Sequence, residues 1–462
     1  MNLDNSDKRS CLKPLVQEIP YVDPVELFAK VKDDVGAVFL DSALTTVDWG
    51  RYSYIAIEPW KILRSTRDNS ITLEQIQAEL LLYPLETLPD LPPFQGGLAG
   101  YFSYEFGATL ETIPRAMVDD LNVPDFMVGF YDVVLAFDHK RRQSWIFSSG
   151  LPTGDIEVAE ERLNAIKARL FEDKIYPLER LFRGGNLYSP FDSHSYVPLV
   201  QKVIDYIYAG DIYQANLTRR YQTHYAGDPY NLYRRLRYRN PAPFAAYIKD
   251  EEHIIASASP ERFLKLTGDA VETKPIKGTA RRDLKNPVHD RQLAVDLMNS
   301  EKDRAENLMI VDLMRNDLSR VCTPGSVQVP KLLDVETYAT VHHLVSTVVG
   351  QLDDGNTCID LLKATFPGGS ITGAPKIRAM EIIAELEPTC RGVYCGSIGF
   401  IGFDGSMDLN IAIRTFVLTK DILTFQVGGG IVADSDPLAE YEETRTKAKG
   451  MKRALNHDLN DR

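Results

Sequence analysis

The sequence predicts an α+β protein in which helices flank a two-lobed antiparallel β-sandwich. Short apolar runs rich in β-formers, separated by turn residues, dominate the first third of the chain. Helical periodicities interrupt similar runs in the second half, without the regular strand–helix alternation of a doubly wound sheet. With 462 residues, 44% of them hydrophobic, the chain is long enough for two or three domains and a large core.

The N-terminal part is predicted to be an antiparallel sheet closed by one helix. Residues 155–172 have the apolar spacing of an amphipathic helix, and a Gly/Ser/Pro-containing connector follows at 183–195. We therefore divide the chain into an N-terminal β-rich lobe, 1–185, and a C-terminal region, 186–462. The predicted strands of the first lobe cover residues 35–40, 52–57, 96–104, 126–137 and 144–147.

The C-terminal region mixes helices and strands. A helix over 195–211 places Val200, Val203 and Ile204 on one face and ends at Gly210. Ser300 followed by Asp303 suggests the N-terminal cap of the next helix. Further helices are predicted over 370–388 and from about 437, and the predicted strands include 211–221, 241–249, 253–260, 394–403, 409–418 and 423–432.

Composition excludes several classes of protein. A net charge of −13 argues against a surface for nucleic acids or anionic membranes, and no apolar run approaches the roughly 20 residues of a membrane span. The polar start lacks a signal-peptide core. Five cysteines without a CxxC pair fit reduced thiols, and the eight histidines lack zinc-site spacing. A cytoplasmic protein is expected.

Carboxylates in two predicted helices are candidate metal ligands. Glu306 lies in "DRAENLMIVDL", and Glu440 and Glu443 lie one helical turn apart in "AEYEET". Two or three oxygen ligands without histidine suit a Mg²⁺ ion shared with an anionic substrate. The alternative for each glutamate is a solvated helix face.

Two glycine-rich segments are candidate anion sites. In "VGGGIVADS", residues 428–430 would let backbone amides approach a phosphate or carboxylate, although a turn or bulge would use the same glycines. "FPGGSITGAPK" leads small and hydroxyl residues into a predicted helix N-terminus. It is not a P-loop, because no Ser or Thr follows Lys376, so an ATPase is rejected.

Three further residues point to chemistry on an acid. Arg414, in the predicted strand "IAIRT", suits a carboxylate clamp or a structural salt bridge. Glu261 in "SPERF" suits proton transfer or a helix cap. Lys277 in "KPIKGT" is a surface charge, an anion clamp or a nucleophile. Together with the carboxylates, these residues indicate a Mg²⁺-dependent enzyme acting on a di-acid.

The ordered motifs resemble the chorismate-utilising enzymes over nearly the whole chain. They include "GDIYQANLTRR", "SASPERF", "KPIKGT", "DRAENLMIVDLMRNDLSRV", "FPGGSITGAPK" and "GGGIVADSDPLAEYEET". The resemblance implies the sandwich fold, chorismate as substrate and an active site in the C-terminal region.

Two positions distinguish members of that family. Anthranilate synthases, which aminate C2 of chorismate, have PIAGT where this chain has "PIKGT" at Lys277. Isochorismate-type members have a water-activating lysine in place of Gln214. The combination of Lys277 and Gln214 resembles the residue pattern of the members that aminate C4 for para-aminobenzoate and folate synthesis. An anthranilate synthase, in which Lys277 is incidental, and a non-catalytic chorismate-binding relative are the alternatives.

The resemblance also implies roles for individual residues. Lys277 would be a covalent nucleophile and Glu261 its acid, with Mg²⁺ held by Glu306, Glu440 and Glu443. No glutaminase segment is recognisable, so a separate glutamine amidotransferase subunit is the expected ammonia source. "FLDSAL" and "GRYSYIAIEP" resemble the tryptophan-binding region of relatives, but Asp41 departs from the feedback-inhibited form. The implied substrate-binding residues are Gln214, His343, Thr372, Tyr394, Arg414, Gly428, Gly429, Gly430 and Lys447.

Overall fold

The computed structural model describes residues 12–45, 49–172, 181–338 and 341–455. Capping follows the sequence signals: Ser300, for example, accepts a hydrogen bond from the backbone N–H of Asp303 at 3.3 Å and so begins a helix. The helices are α1 Pro24–Phe28, α2 Leu73–Leu81, α3 Gly107–Leu110, α4 Ile156–Phe171, α5 Ser193–Tyr208, α6 Pro229–Arg239, α7 Pro287–Asn299, α8 Glu301–Ser319, α9 Cys358–Thr365, α10 Lys376–Leu386 and α11 Pro437–Leu455.

The strands alternate buried side chains between two faces, as a sandwich requires. They are β1 Leu15–Ile19, β2 Ala37–Asp41, β3 Tyr52–Ala56, β4 Lys61–Ser65, β5 Gly97–Phe102, β6 Phe126–Tyr131, β7 Val133–Asp138, β8 Gln143–Ser148, β9 Arg183–Gly184, β10 Gln214–Ala226, β11 Phe244–Lys249, β12 Ile254–Ser259, β13 Arg262–Thr267, β14 Ala270–Thr273, β15 Ile276–Arg281, β16 Gln328–Thr337, β17 Val341–Gln351, β18 Gly373–Ala374, β19 Ser397–Gly402, β20 Met407–Asn410, β21 Thr415–Leu418 and β22 Ile422–Ile431.

Among the described residues, these strands form one sheet of twelve strands and one of ten. The larger runs β1-β8-β7-β3-β2-β11-β12-β21-β22-β10-β18, with β9 beside β10, and the smaller runs β15-β17-β14-β13-β20-β19-β5-β6-β4, with β16 beside β17. Neighbouring strands pair antiparallel, as in β10 with β22 and β15 with β17. The predicted antiparallel architecture is confirmed.

The sheets pack face to face, with helices outside. In β2, Val38 belongs to the apolar cluster between the sheets, whereas Ala37 and Phe39 join the cluster under the outer helices. Each sheet takes strands from both sides of residue 185, and the division into lobes at that residue stays a prediction. In the described part of the chain, no helix is long and apolar enough to cross a bilayer.

The structure corrects three boundaries. The run 126–137 is two strands, β6 and β7, which belong to different sheets. The helix predicted over 370–388 begins only at Lys376, because Gly373 pairs with Ala215 in the large sheet and Pro375 follows. Arg414 lies outside a strand, where the chain passes from β20 in the small sheet to β21 in the large one.

Four cysteines are free and buried, in agreement with the prediction of reduced thiols: Cys322, Cys358, Cys390 and Cys395. Cys11 lies outside the described residues.

Candidate active site

Lys277 lies on β15 and points its amine toward the segment before β18. Its Nζ donates to the carbonyl oxygen of Ser370 at 3.0 Å. Burial lowers the pKa of Lys277, although nearby Glu306 opposes that shift. The next residue has to be glycine: Gly278 has a φ of +80°, and a Cβ there would stand 2.8 Å from Cγ of Asp303 on α8. The strand and α8 therefore meet at van der Waals distance beside the amine.

Glu261 lies in the turn between β12 and β13, so the alternative of a helix cap is excluded. Only 5% of the residue is exposed. Burial raises the pKa of Glu261 to about 7, against smaller opposing effects of the Ser370 hydroxyl and the Lys277 charge. The Ser370 side chain thus hydrogen-bonds the carboxylate while its carbonyl accepts from the lysine. A carboxylic acid whose pKa is raised to about 7 therefore stands next to a lysine whose pKa is lowered by burial.

His343 and Arg414 are neighbours, and each has polar atoms that lack a partner of opposite charge among the described residues. Nδ1 of His343 lies 2.9 Å from the Thr279 hydroxyl, and no described residue partners its buried Nε2. Burial, reinforced by the Arg414 charge, lowers the pKa of His343 to about 3, so the imidazole is neutral. The guanidinium of Arg414 forms no ion pair with any described carboxylate, and burial lowers its pKa. An anionic ligand would supply the missing partner.

Two of the three candidate carboxylates converge beside β22. A Cβ on Gly429 would stand 3.3 Å from Oε2 of Glu440 and 3.5 Å from Oε1 of Glu443. Burial raises the pKa of Glu306 on α8, while Lys277, Lys302 and Lys447 oppose the shift. The grouping of all three glutamates as metal ligands stays a prediction.

Lysines balance this negative charge. Nζ of Lys447 lies 2.6 Å from Oε1 of Glu443 and donates to the carbonyl of Gly428 at 3.0 Å. Nζ of Lys302 lies 3.4 Å from Oε1 of Glu440. Within the described ranges, no three His, Cys, Asp or Glu side chains form a preassembled metal cage.

The glycine-rich segment lies within a strand, as predicted over 423–432, and does not form the alternative turn. Residues 428–430 are the last part of β22, opposite Thr218, Leu217 and Asn216 of β10. Their small size makes space for neighbouring side chains: a Cβ on Gly430 would stand only 2.1 Å from Nε2 of Gln214. Gln214 is fully buried, and no described residue partners either end of its amide.

Thr372 and Tyr394 are buried at the margin of this region. The Thr372 hydroxyl donates to the carbonyl of Gly368 at 3.0 Å, and its own carbonyl accepts from the N–H of Asn216. Burial raises the pKa of Tyr394, and the charge of Arg391 opposes that shift. The predicted Lys376 pairs with Asp317 at 2.5 Å and is structural.

Apart from the candidate active site, a cavity of about 370 Å³ lies between the sheets, where the sequence resembles a tryptophan-binding region. Trp49, Arg51 and Lys274 are among the residues that line it. Asp41 also reaches it, but its carboxylate is already paired with Arg237 at 2.5 Å.

Sequence reasoning missed Ser370, Thr279 and Lys302. Ser370 contacts Lys277 through its backbone carbonyl. Every residue has such a carbonyl, so the sequence cannot single out the one that makes this contact. The alternation of β15 places Thr279 two residues after Lys277 and is the one signal that indicates this residue. Lys302 precedes Glu306 by one helical turn, a spacing that predicts a shared face.

A family model described as chorismate binding enzyme matches residues 41–453. Aminodeoxychorismate synthase component 1 of Salmonella typhimurium is 41% identical, covering 96% of this chain and 99% of that protein. Anthranilate synthase component 1 of Thermus thermophilus is 39% identical, with coverage of 94% and 95%. The crystal structure of anthranilate synthase component I from Streptococcus pneumoniae superposes with a TM-score of 0.79 at 33% identity, covering 87% of this chain and 92% of that one.

Proposed function

This chain belongs to the family of chorismate-binding enzymes, and we propose that it aminates C4 of chorismate as component 1 of an aminodeoxychorismate synthase. The observation that carries this proposal is Lys277, a lysine of lowered pKa beside a carboxylic acid of raised pKa. Chemistry at C4 requires a group that occupies C2, and a neutral amine can do so. The product would serve para-aminobenzoate and folate synthesis, and the predicted cytoplasmic location belongs to the same proposal.

The proposed reaction proceeds through two successive displacements. In the first, the neutral amine of Lys277 bonds to C2 while the double bonds shift and the C4–oxygen bond breaks, and Glu261 protonates the departing hydroxyl to give water. In the second, ammonia bonds to C4 while the bond between C2 and Lys277 breaks, which releases the lysine as a neutral amine. The carboxylate of Glu261 then takes back the proton that the new ammonium group gives up.

The hydrogen bonds around Ser370 support this division of roles. Its carbonyl accepts from Nζ of Lys277 at 3.0 Å, and its hydroxyl interacts with the Glu261 carboxylate. One residue therefore holds the nucleophile and the acid on the same side of the site. Such positioning supplies a large part of the barrier reduction in displacement reactions.

The unpaired polar groups support binding of a dianionic substrate. Arg414 has a guanidinium without a described carboxylate partner, and Lys447 projects beside Gly428. We assign these two cations, with the backbone of residues 428–430 and Tyr394, to the substrate carboxylates. Gln214, His343 and Thr372 would bind its ring oxygens, since Gln214 and His343 have buried polar atoms that no described residue satisfies.

The donor set fits Mg²⁺ better than a metal that needs a closed cage. Mg²⁺ binds through one or two carboxylates, substrate oxygens and several waters. Glu440 and Glu443 converge beside Gly429, and Glu306 shares their charge environment. These three residues would hold the ion, which when bound orients a substrate carboxylate and offsets its charge.

The cavity between the sheets is proposed as an amino-acid site. Its acidic and basic lining residues, with the Trp49 ring, suit a zwitterion with an aromatic side chain. Because Asp41 is committed to Arg237, we propose that tryptophan at this position does not inhibit the enzyme.

A product assay tests the proposed function. Purified protein with chorismate, Mg²⁺ and an ammonium salt is expected to form aminodeoxychorismate, identified by chromatography and mass. Fluorescent anthranilate as the main product would support the anthranilate synthase alternative instead. Binding of chorismate without turnover would indicate the non-catalytic relative.

A further inference from the structure

Lys302 is placed to compensate a buried carboxylate at the proposed metal site. It lies in the first turn of α8, one turn before Glu306, and its Nζ is 3.4 Å from Oε1 of Glu440. The Glu440 side chain is only 5% exposed, whereas that of Lys302 is 52% exposed. A carboxylate this buried is costly without a partner. Besides Lys302, Glu440 has only a neutral described partner, the Ser435 hydroxyl at 2.7 Å.

The surrounding charges show why Lys302 differs from the other ammonium groups. Lys447 pairs with Glu443 and also donates to the carbonyl of Gly428, so two contacts hold it in place. Lys277 donates to Ser370. Lys302 has one ion pair and no backbone contact among the described residues, and Glu306, Glu440 and Glu443 all act on its charge. About half of its side chain is in solvent, as for Lys447. It can therefore leave the cluster once another cation balances Glu440.

We propose that Lys302 is an internal counter-ion of the proposed Mg²⁺ site, which neutralises Glu440 in the metal-free protein and withdraws into solvent when the ion binds. This inference rests on the Mg²⁺ site of the proposed function. Metal binding then exchanges one cation for another at the same carboxylate. The affinity for Mg²⁺ alone is kept moderate, and the ion is retained best when substrate carboxylates add negative charge.

The test measures Mg²⁺ binding to the substrate-free protein by calorimetry. Lys302→Met removes the competing charge, and the dissociation constant is expected to fall about tenfold. Two unit charges a few ångströms apart interact by a few kcal/mol near a protein surface, and half-exposure of Lys302 reduces that effect. The metal-free variant should also melt about 1–2 °C lower, with Mg²⁺ restoring the loss.

Arg315→Met is the matched control. Arg315 is on the same helix, is 52% exposed like Lys302, and pairs with Asp312, which is itself 61% exposed. The substitution changes the net charge equally but leaves Glu440 alone, so Mg²⁺ affinity should stay within twofold of wild type.

Unchanged or weaker Mg²⁺ binding in both Lys302→Met and Lys302→Gln would overturn the inference. Wild-type protein that does not bind Mg²⁺ would overturn the metal site together with it. A tighter Mg²⁺ site in a protein that fails the product assay would refute the proposed function and leave the counter-ion role standing.

Discussion

Replacing Glu261 by glutamine should change the pH dependence of the first chemical step. Burial raises the pKa of this carboxyl from 4.5 to about 7. At pH 7, about half of the molecules then carry the proton, compared with about 0.3% for a carboxyl of ordinary pKa. The fold therefore increases the amount of usable acid by roughly two orders of magnitude at neutral pH.

The direction of the effect follows from the two protonation states that the step needs. Glu261 must hold a proton and Lys277 must not, so the wild-type rate should be bell-shaped: low at acidic pH, where Lys277 is charged, and low again when both groups are deprotonated. In Glu261→Gln only Lys277 titrates. Its rate should rise with pH to a plateau, at a level about 10²–10⁴-fold below wild type.

The assay is single-turnover adduct formation from chorismate without ammonia, so that the ionisation of ammonia does not contribute. Glu105→Gln is the control: burial also raises the pKa of Glu105 to about 7, but its carboxylate accepts from the backbone N–H groups of Arg391 and Gly392. This control should retain the bell-shaped dependence of rate on pH. A wild-type profile in Glu261→Gln, at a rate within tenfold of wild type, would refute the assignment of Glu261 as the acid.

Three further outcomes are expected. Glu306→Ala should abolish Mg²⁺-dependent turnover without loss of the folded state, as judged by circular dichroism; full activity in the variant or in EDTA would contradict the metal assignment. Gly430→Ala should lower kcat/KM at least tenfold, because its Cβ would meet Nε2 of buried Gln214 at 2.1 Å, whereas Gly355→Ala, with open space around it, should be neutral. The purified chain should use ammonium but not glutamine, and glutamine should become a substrate when an amidotransferase subunit is added. Glutamine-dependent turnover by the single chain would contradict this expectation.

Periodicity and caps predicted much of the fold. The amphipathic pattern over 155–172 matches α4, and the Ser300 signal marks the start of α8. The pattern over 126–137 did not show that the chain changes sheets at Asp132, because a fully buried run looks the same in one long strand and in two short ones. Assignment of strands to sheets depends on contacts far apart in sequence.

Motifs predicted the residue types of the site better than their backbone context. Lys277 and Glu261 both lie beside Ser370, and Glu440 and Glu443 lie beside Gly429, while their roles stay predictions. Arg414 was expected in a strand, but it has a φ of +52° at the crossing between sheets, and apolar neighbours do not reveal such a crossing. The glycines at 428–430 lie in β22, within the strand predicted over 423–432, but the sequence did not show that they make room for Gln214 and the α11 carboxylates.

The covalent bond between Lys277 and the substrate can be detected directly. Wild-type protein should be mixed with chorismate and Mg²⁺ without ammonia, quenched with acid, digested and examined by mass spectrometry. We expect an adduct with the mass of chorismate less one water on the peptide that contains Lys277. No adduct is expected in Lys277→Ala, whose formation of aminodeoxychorismate from ammonia should fall by orders of magnitude. Absence of the adduct, together with near wild-type formation of aminodeoxychorismate by Lys277→Ala, would contradict the covalent mechanism.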